Sequence, residues 1–324
     1  MIPATRSPAS GRRDRAACRR VHGASAALLA LAAVWPSQAL AQREHHAPIL
    51  LQLPVTARSM AMGGLTAATR DVEAVFGNPA LVGGANALSV TLGRYASGAA
   101  TGHAATTMTV GMLGVALGAQ LLDAPQRQAG GPLQSDVLTD DGRYAASAMG
   151  ANVAASLSWK GVRWGAAARY VEQRTALTRT GSAALDVGLS RDFVNGMLST
   201  GVVVQHLGRD LRSGGERIDL PLRVAVGATA GGYGVGKWID VGAASHLAVR
   251  EDGALFGSAG GELTFVPIEG ISLAVRGGAR RPELRAQRAL TGGLGLQVDR
   301  LAIDYGWEDM RGKGGAHRIT LRMR

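Results

Sequence analysis

The sequence predicts an all-β chain: an antiparallel transmembrane β-barrel of about 14 strands, with an N-terminal plug in its lumen that contains short helical turns. Three observations carry this. A leader of secretory build opens the chain. From Ala87 onward, apolar and polar residues alternate with period two. The connections between the alternating stretches are short and long by turns.

Residues 1–41 read as a signal peptide. Arg12, Arg13, Arg15, Arg19 and Arg20 form a basic region, Ala24 to Val34 is apolar, and Ala39-Leu40-Ala41 has the form of a cleavage site. That apolar run is far short of the about 20 residues a membrane helix needs, and no such run follows it. The only cysteine, Cys18, lies upstream of the apolar core, so the mature chain is expected to use neither disulfides nor thiol chemistry. A barrel is then the remaining way to cross a bilayer, because closure satisfies every backbone donor and acceptor. Residues 42–86 read as the plug and 87–324 as the barrel.

Charge excludes one class of partner. The full chain carries +11, and the leader's six arginines and Asp14 leave +6 spread thinly along the rest. No basic block forms a nucleic-acid stripe. The 46 glycines follow no Gly-X-Y period, which excludes collagen.

The strands justify themselves in turn. Leu222, Val224 and Val226 alternate with Arg223, Ala225 and Gly227; Ile271, Leu273 and Val275 with Ser272, Ala274 and Arg276. Leu301, Ile303, Tyr305 and Trp307 alternate with Ala302, Asp304, Gly306 and Glu308, and His317, Ile319, Leu321 and Met323 with Arg318, Thr320, Arg322 and Arg324. Strand starts are expected at Ala87, Gly102, Leu113, Arg143, Val162, Thr178, Gly196, Leu220, Lys237, Ala254, Gly270, Arg288, Arg300 and Gly315. A soluble β-sandwich would show the same alternation, but connection lengths separate the two. Lys160-Gly161, Asn195-Gly196, Glu269-Gly270 and Asp299-Arg300 read as tight turns after even-numbered strands. The stretches Asp123–Gly142, Gly208–Asp219 and Ala279–Gln287 are longer connections after odd-numbered strands. Short periplasmic turns against longer outer loops are the pattern of an outer-membrane barrel, and they put both barrel ends in the periplasm. Aromatic residues are sparse at 4%; Trp159, Trp164, Tyr170, Trp238, Tyr305 and Trp307 fall near strand ends.

Local signals also shape the segment before the barrel. Asp71 can cap a short helix over Val72–Phe76 that Gly77 ends. Asn78 suits an N-cap, with Pro79 in the first position of a second turn. Met60-Ala-Met-Gly-Gly-Leu65 supplies small residues for close packing. Asn78-Pro79 is expected to pin the segment to the wall, Asn78 by satisfying buried backbone donors.

Other motifs carry less. Gly232-Tyr-Gly-Val-Gly-Lys237 has the glycines of a phosphate loop but strand flanks and no following helix. His45-His46 has no evident third and fourth ligands for a metal. Arg163, Arg169, Arg223 and Arg276 read as solvating a lumen. No nucleophile, base and orienting acid group together, so neither catalysis, a cofactor nor a resident metal is expected.

The order Ala57-Arg58, Met62-Gly63-Gly64, Asp71 and Asn78-Pro79-Ala80, between a leader and a run of alternating strands, resembles the N-terminal signature of the PorV/PorQ branch of the FadL-like outer-membrane β-barrels. Val204-Gln205-His206-Leu207-Gly208 followed by Leu220-Pro221-Leu222-Arg223 is similar to that family's Asn-Leu-Gly…Leu-Pro hairpin, with His206 where asparagine is usual. Leu301–Gly306 and His317–Leu321 resemble its last two strands, so the likeness runs along the whole mature chain. The chain ends in Arg324, where the family commonly has phenylalanine. The resemblance implies an outer-membrane location in a Gram-negative bacterium and a plug or hatch before the first strand. It also implies an accessory or anchoring role toward secreted proteins or secretion-system components. The alternative is FadL-like passage of small hydrophobic molecules such as fatty acids.

Overall fold

The computed structural model describes residues 48–64, 67–84, 86–123, 147–174, 179–213, 216–284, 286–311 and 314–324. The leader, His45-His46 and the interior of the connection after the third strand lie outside the described residues.

Fourteen strands close into an antiparallel barrel. They are β1 (Ala87–Tyr95), β2 (Ala100–Val110), β3 (Leu113–Asp123), β4 (Ser147–Trp159), β5 (Val162–Arg174), β6 (Arg179–Phe193) and β7 (Leu198–Gly208), then β10 (Arg223–Val235), β11 (Ile239–Arg250), β12 (Leu255–Ile268), β13 (Ile271–Arg280), β14 (Gln287–Val298), β15 (Leu301–Met310) and β16 (Gly315–Met323). Between β7 and β10 a small separate hairpin, β8 (Leu211–Ser213) and β9 (Glu216–Ile218), occupies the connection. Its alternation spans too few residues to be legible beforehand. Every barrel strand begins within four residues of its expected start. Closure pairs β1 with β16, Leu88 opposite Met323 and Leu92 opposite Ile319, so both barrel ends lie on one rim.

That rim carries the tight turns. Connections 111–112, 160–161, 269–270 and 299–300 have two residues each, and left-handed backbone at Gly111, Lys160, Gly161, Gly270 and Asp299 helps to close all four. The opposite rim carries the longer links, 209–222 and 281–286 among them.

Alternation sorts the two faces. Outward residues are apolar and exposed, including Leu92, Leu121, Val153, Val275 and Ile319, which form a belt around the barrel. Such a continuous apolar surface requires a covering. The inward set is buried and rich in polar and charged side chains, among them Arg169, Asp186, Arg276, Asp304, Glu308 and Arg318. No helix among the described residues is long and apolar enough to cross a membrane.

Candidate functional site

The stretch 48–84 packs against the inward face. It consists of 3-10 turns at Ile49–Leu51, Val72–Phe76 and Pro79–Leu81 and one short helix, α1 (Ala57–Ala61). Leu50, Leu51, Leu53 and Met60 gather with Tyr95, Leu122, Val171, Leu211, Leu220 and Met310 near the rim of longer connections. Helix α1 lies against β13 to β16, Val72–Phe76 against β1 to β4, and Pro79–Leu81 against β4 to β6. At the tight-turn rim, Ser156 Oγ donates to Val82 O at 2.6 Å and Gly84 N donates to Thr109 Oγ1 at 3.1 Å.

Five residues are too few for a helix to persist alone. Thr56 and Ser59 close a capping box at the α1 N-terminus, each side chain accepting from the other's backbone N–H at 3.1 Å. The wall supplies the rest: Ala57 N donates to Thr320 Oγ1 at 2.9 Å and Thr291 Oγ1 donates to Ala61 O at 3.0 Å. Gly63 and Gly64 follow with φ of 87° and 83°, a double left-handed step that reverses the chain. Met62 there presses on Gly260 and Gly278, where any side chain would collide with its backbone.

Arg58 and Asp71 enter one closed ring of alternating charge. Arg58 bonds Glu262 at 3.3 Å, Glu262 pairs with Arg276, and Arg276 reaches Asp304 at 2.6 Å. Asp304 holds Arg322 at 2.9 Å, Arg322 pairs with Asp71, and Asp71 lies 3.7 Å from Arg58. Burial works against the Arg58 charge, but Glu262, Asp71 and Glu73 outweigh it and hold its pKa above the ordinary value. Beside the ring, Thr56 Oγ1 donates to Glu73 Oε1 at 2.6 Å. Burial and the neighbouring Asp71 carboxylate push the Glu73 carboxyl up to about 7, against the pull of Arg322, Thr56 and Arg58.

Asn78, Pro79 and Ala80 lie against β4 to β7. Asp71 caps Val72–Phe76 by accepting from Val72 N, and Asn78 caps Pro79–Leu81 by accepting from Ala80 N at 3.0 Å. Asn78 satisfies a buried donor at Ala80 N as expected, but it meets the wall by donating: its Nδ2 reaches the carbonyls of Leu189 and Val202 at 3.2 and 3.3 Å, and that of Ala67 in its own segment at 2.8 Å. At the wall it therefore satisfies acceptors, because carbonyls beside Gly188 and Gly201 face the amide with no side chain between. Pro79 and Ala80 lie flush on Gly165.

The arginines expected to solvate the lumen are engaged instead. Arg169 donates to Phe76 O at 3.0 Å and to Asp186 at 2.7 Å. Arg163 pairs with Asp192, Arg223 with Glu283, and Arg276 belongs to the ring. Sequence reasoning missed these pairs, although Asp186, Glu262 and Asp304 share the inward parity of those arginines and could have been matched to them. The Gly232–Lys237 stretch ends β10 and enters a turn, with no helix to receive a phosphate. Among the described residues no group of three metal-ligating side chains gathers.

No family model matches the chain, and no curated protein does. Solved structures do. The toluene transporter TbuX of Ralstonia pickettii is similar over 85% of this chain and 99% of its own, at 14% identity and a TM-score of 0.54. The P. putida toluene transporter TodX matches over 84% and 96%, at 10% identity and 0.52. A Pseudomonas aeruginosa FadL homologue matches over 84% and 98%, at 9% identity and 0.52. At these identities the likeness is one of fold, to FadL- and TodX-type barrels; the finer resemblance to the PorV/PorQ branch rests on the sequence motifs alone.

Proposed function

We propose that this chain is an outer-membrane channel of a Gram-negative bacterium, that small hydrophobic molecules pass through it, and that the lumenal segment is its plug. One observation carries the reading. The rim of longer connections holds an apolar cluster inside the lumen, with Leu50, Leu51, Met60, Tyr95, Leu122, Leu211 and Met310 all buried there. A water-filled pore has a polar interior, so an apolar mouth suits an apolar solute. The exposed outer belt and the unequal rims support membrane insertion, and the names of the similar solved proteins, transporters of toluene and a FadL homologue, agree with the solute class. On this reading the chain moves solute and catalyses nothing.

Growth on, or uptake of, a monoaromatic hydrocarbon in a strain lacking the gene tests it. Loss on deletion and recovery on complementation are expected, and unchanged uptake overturns it. The sequence signature Arg58…Asn78-Pro79-Ala80 supports a second reading, an accessory protein that anchors secreted partners through its outer loops. Co-purification of a secreted protein with the detergent-extracted barrel, with no change in uptake on deletion, would favour it.

A further inference from the structure

The inward wall is divided by charge. On β1 to β4 no inward residue is Asp, Glu, Lys or Arg, the longest run of neighbouring strands without one, whereas inward charges stand on β5, β6, β10 to β13, β15 and β16. The neutral wall holds His103, Gln120 and Asn152, each at least 96% buried, with His103 opposite Gln120 in the β2–β3 register and Asn152 on β4 opposite Gly118, one inward position along β3 from Gln120. Both ring nitrogens of His103, both amide atoms of Asn152 and Oε1 of Gln120 lack a hydrogen-bond partner. His103 and Asn152 are the only described residues with two such atoms. Buried polar groups are nearly always paired, so five together call for an occupant.

What covers them is apolar. The Phe76 ring stands edge-on to His103 at 6.3 Å, and Leu50 Cδ2 lies 3.5 Å from where a Cβ on Gly150 would be. Across the other walls the segment is latched by Thr320, Thr291, Arg322, Arg169, Gln205 and Asn78. Its bonds to the neutral wall, at Ser156 and Thr109, lie only at the tight-turn rim. Separation along the neutral wall would thus break few bonds and supply partners to the five orphaned atoms.

We propose that solute passes along the β2–β4 wall, between it and the turns Ile49–Leu51 and Val72–Phe76, with His103, Gln120 and Asn152 as its contact line. This rests on the passage reading above and narrows its substrate class. Apolar side chains on one side and neutral donors and acceptors on the other fit an uncharged molecule with a single hydrogen-bonding group, a phenol or an alcohol. The cations that border this wall, Arg169 opposite Asn152 and Arg318 over β1, are already bonded to Asp186, Phe76 O and Tyr95 Oη, so none is free for a carboxylate.

The test uses the full-length chain with Cys18→Ser, reconstituted into phosphatidylcholine vesicles. Asn152→Cys is labelled with a small water-soluble methanethiosulfonate and compared with Ala167→Cys, an equally buried inward position on β5. Labelling of Asn152→Cys should be at least tenfold faster, phenol should slow it, and benzoate at the same concentration should not. Equal or slower labelling than Ala167→Cys, or protection by benzoate matching that by phenol, overturns the proposal. Gln120→Cys repeats the test should Asn152→Cys fail to insert. Fast labelling in a protein that fails the hydrocarbon-uptake test would sink the passage reading and leave this wall as the mobile face. Slow labelling with uptake intact would sink only the wall.

Discussion

Arg58, in helix α1, and Asp71 are separated in the sequence by a double-glycine reversal, yet lie 3.7 Å apart and close a ring of six alternating charges with Glu262, Arg276, Asp304 and Arg322. The spacing of the opening motif thus has a physical cause. Gly63 and Gly64 turn the chain so that Asp71 returns to the Arg322 side of Arg58. Asp71→Asn should therefore loosen the segment by about 1.5–3 kcal/mol, because Arg322 loses one of its two counter-charges and keeps Asp304. Arg322→Gln should cost less when added to Asp71→Asn than alone, since the two share one interaction. Protease protection of 48–84 in the inserted barrel reads both; additive costs would mean the ring is not one unit.

Asn78→Leu together with Pro79→Ala should leave the barrel inserted and raise its leak conductance in planar bilayers. The two amide N–H groups that serve the carbonyls of Ala67, Leu189 and Val202 are lost together with the acceptor for Ala80 N, at a cost of about 1–3 kcal/mol. Gly188→Ala should reproduce the effect from the other side, because its methyl would occupy the position of Asn78 Oδ1. Wild-type conductance and protection in both variants would show that this contact does not hold the segment.

The barrel was legible because period-two alternation is a local signal repeated along many strands. The caps were legible because Asp71 and Asn78 act on residues one or two positions away. The ring was not, since Arg58 and Glu262 are 204 residues apart and only barrel closure brings them together. Reading the lumenal arginines as solvated failed for a related reason: parity places Arg169 inward, but its partner Phe76 O belongs to a segment with no periodicity of its own. The neutral wall lay open to view in the inward residues of β2 to β4. Its meaning depends on Phe76 standing against His103 and Leu50 against Gly150, contacts from a segment with no periodicity of its own.

His206 marks the bulge between β6 and β7 and adopts φ 64°, where an asparagine costs little and a branched side chain costs much. That accounts for asparagine at the matching place in the hairpin that this stretch resembles. His206→Asn should keep the left-handed backbone and the His206 N to Asp186 bond at 2.7 Å, and lose only the ring's contact with Pro221 O at 3.0 Å, about 0.5–1.5 kcal/mol. His206→Val should destabilise by about 1–2 kcal/mol from the left-handed conformation alone. The temperature at which the folded band is lost in semi-native gels orders the variants, and equal values would refute the strain argument.

Val153 and Asn152 are neighbours on β4 that face opposite ways, Val153 being 54% exposed and Asn152 2%. If the belt meets lipid, Val153→Arg should cost about 2–4 kcal/mol near the middle of the bilayer and reduce insertion. On a barrel covered by water the same change would be nearly neutral. Folding into vesicles, followed by heat-modifiable mobility, distinguishes them.

Glu73 should make the hold on the segment depend on pH. Its carboxyl is pushed up to about 7 in the docked state, by burial first and then by Asp71, from an ordinary value of 4.5. The docked state therefore binds this proton more tightly than a released segment does. The contribution is fully present below about 4.5, declines as pH rises through the docked value, and is gone above it. Leak conductance and protease sensitivity of 48–84 should accordingly rise between pH 4.5 and 7 and level off beyond. Glu73→Gln keeps an acceptor for Thr56 Oγ1 and cannot ionise, so it should flatten that rise and hold the low-pH behaviour at pH 8. A wild type with no slope across this window, or a Glu73→Gln variant with the same slope, would assign the proton elsewhere.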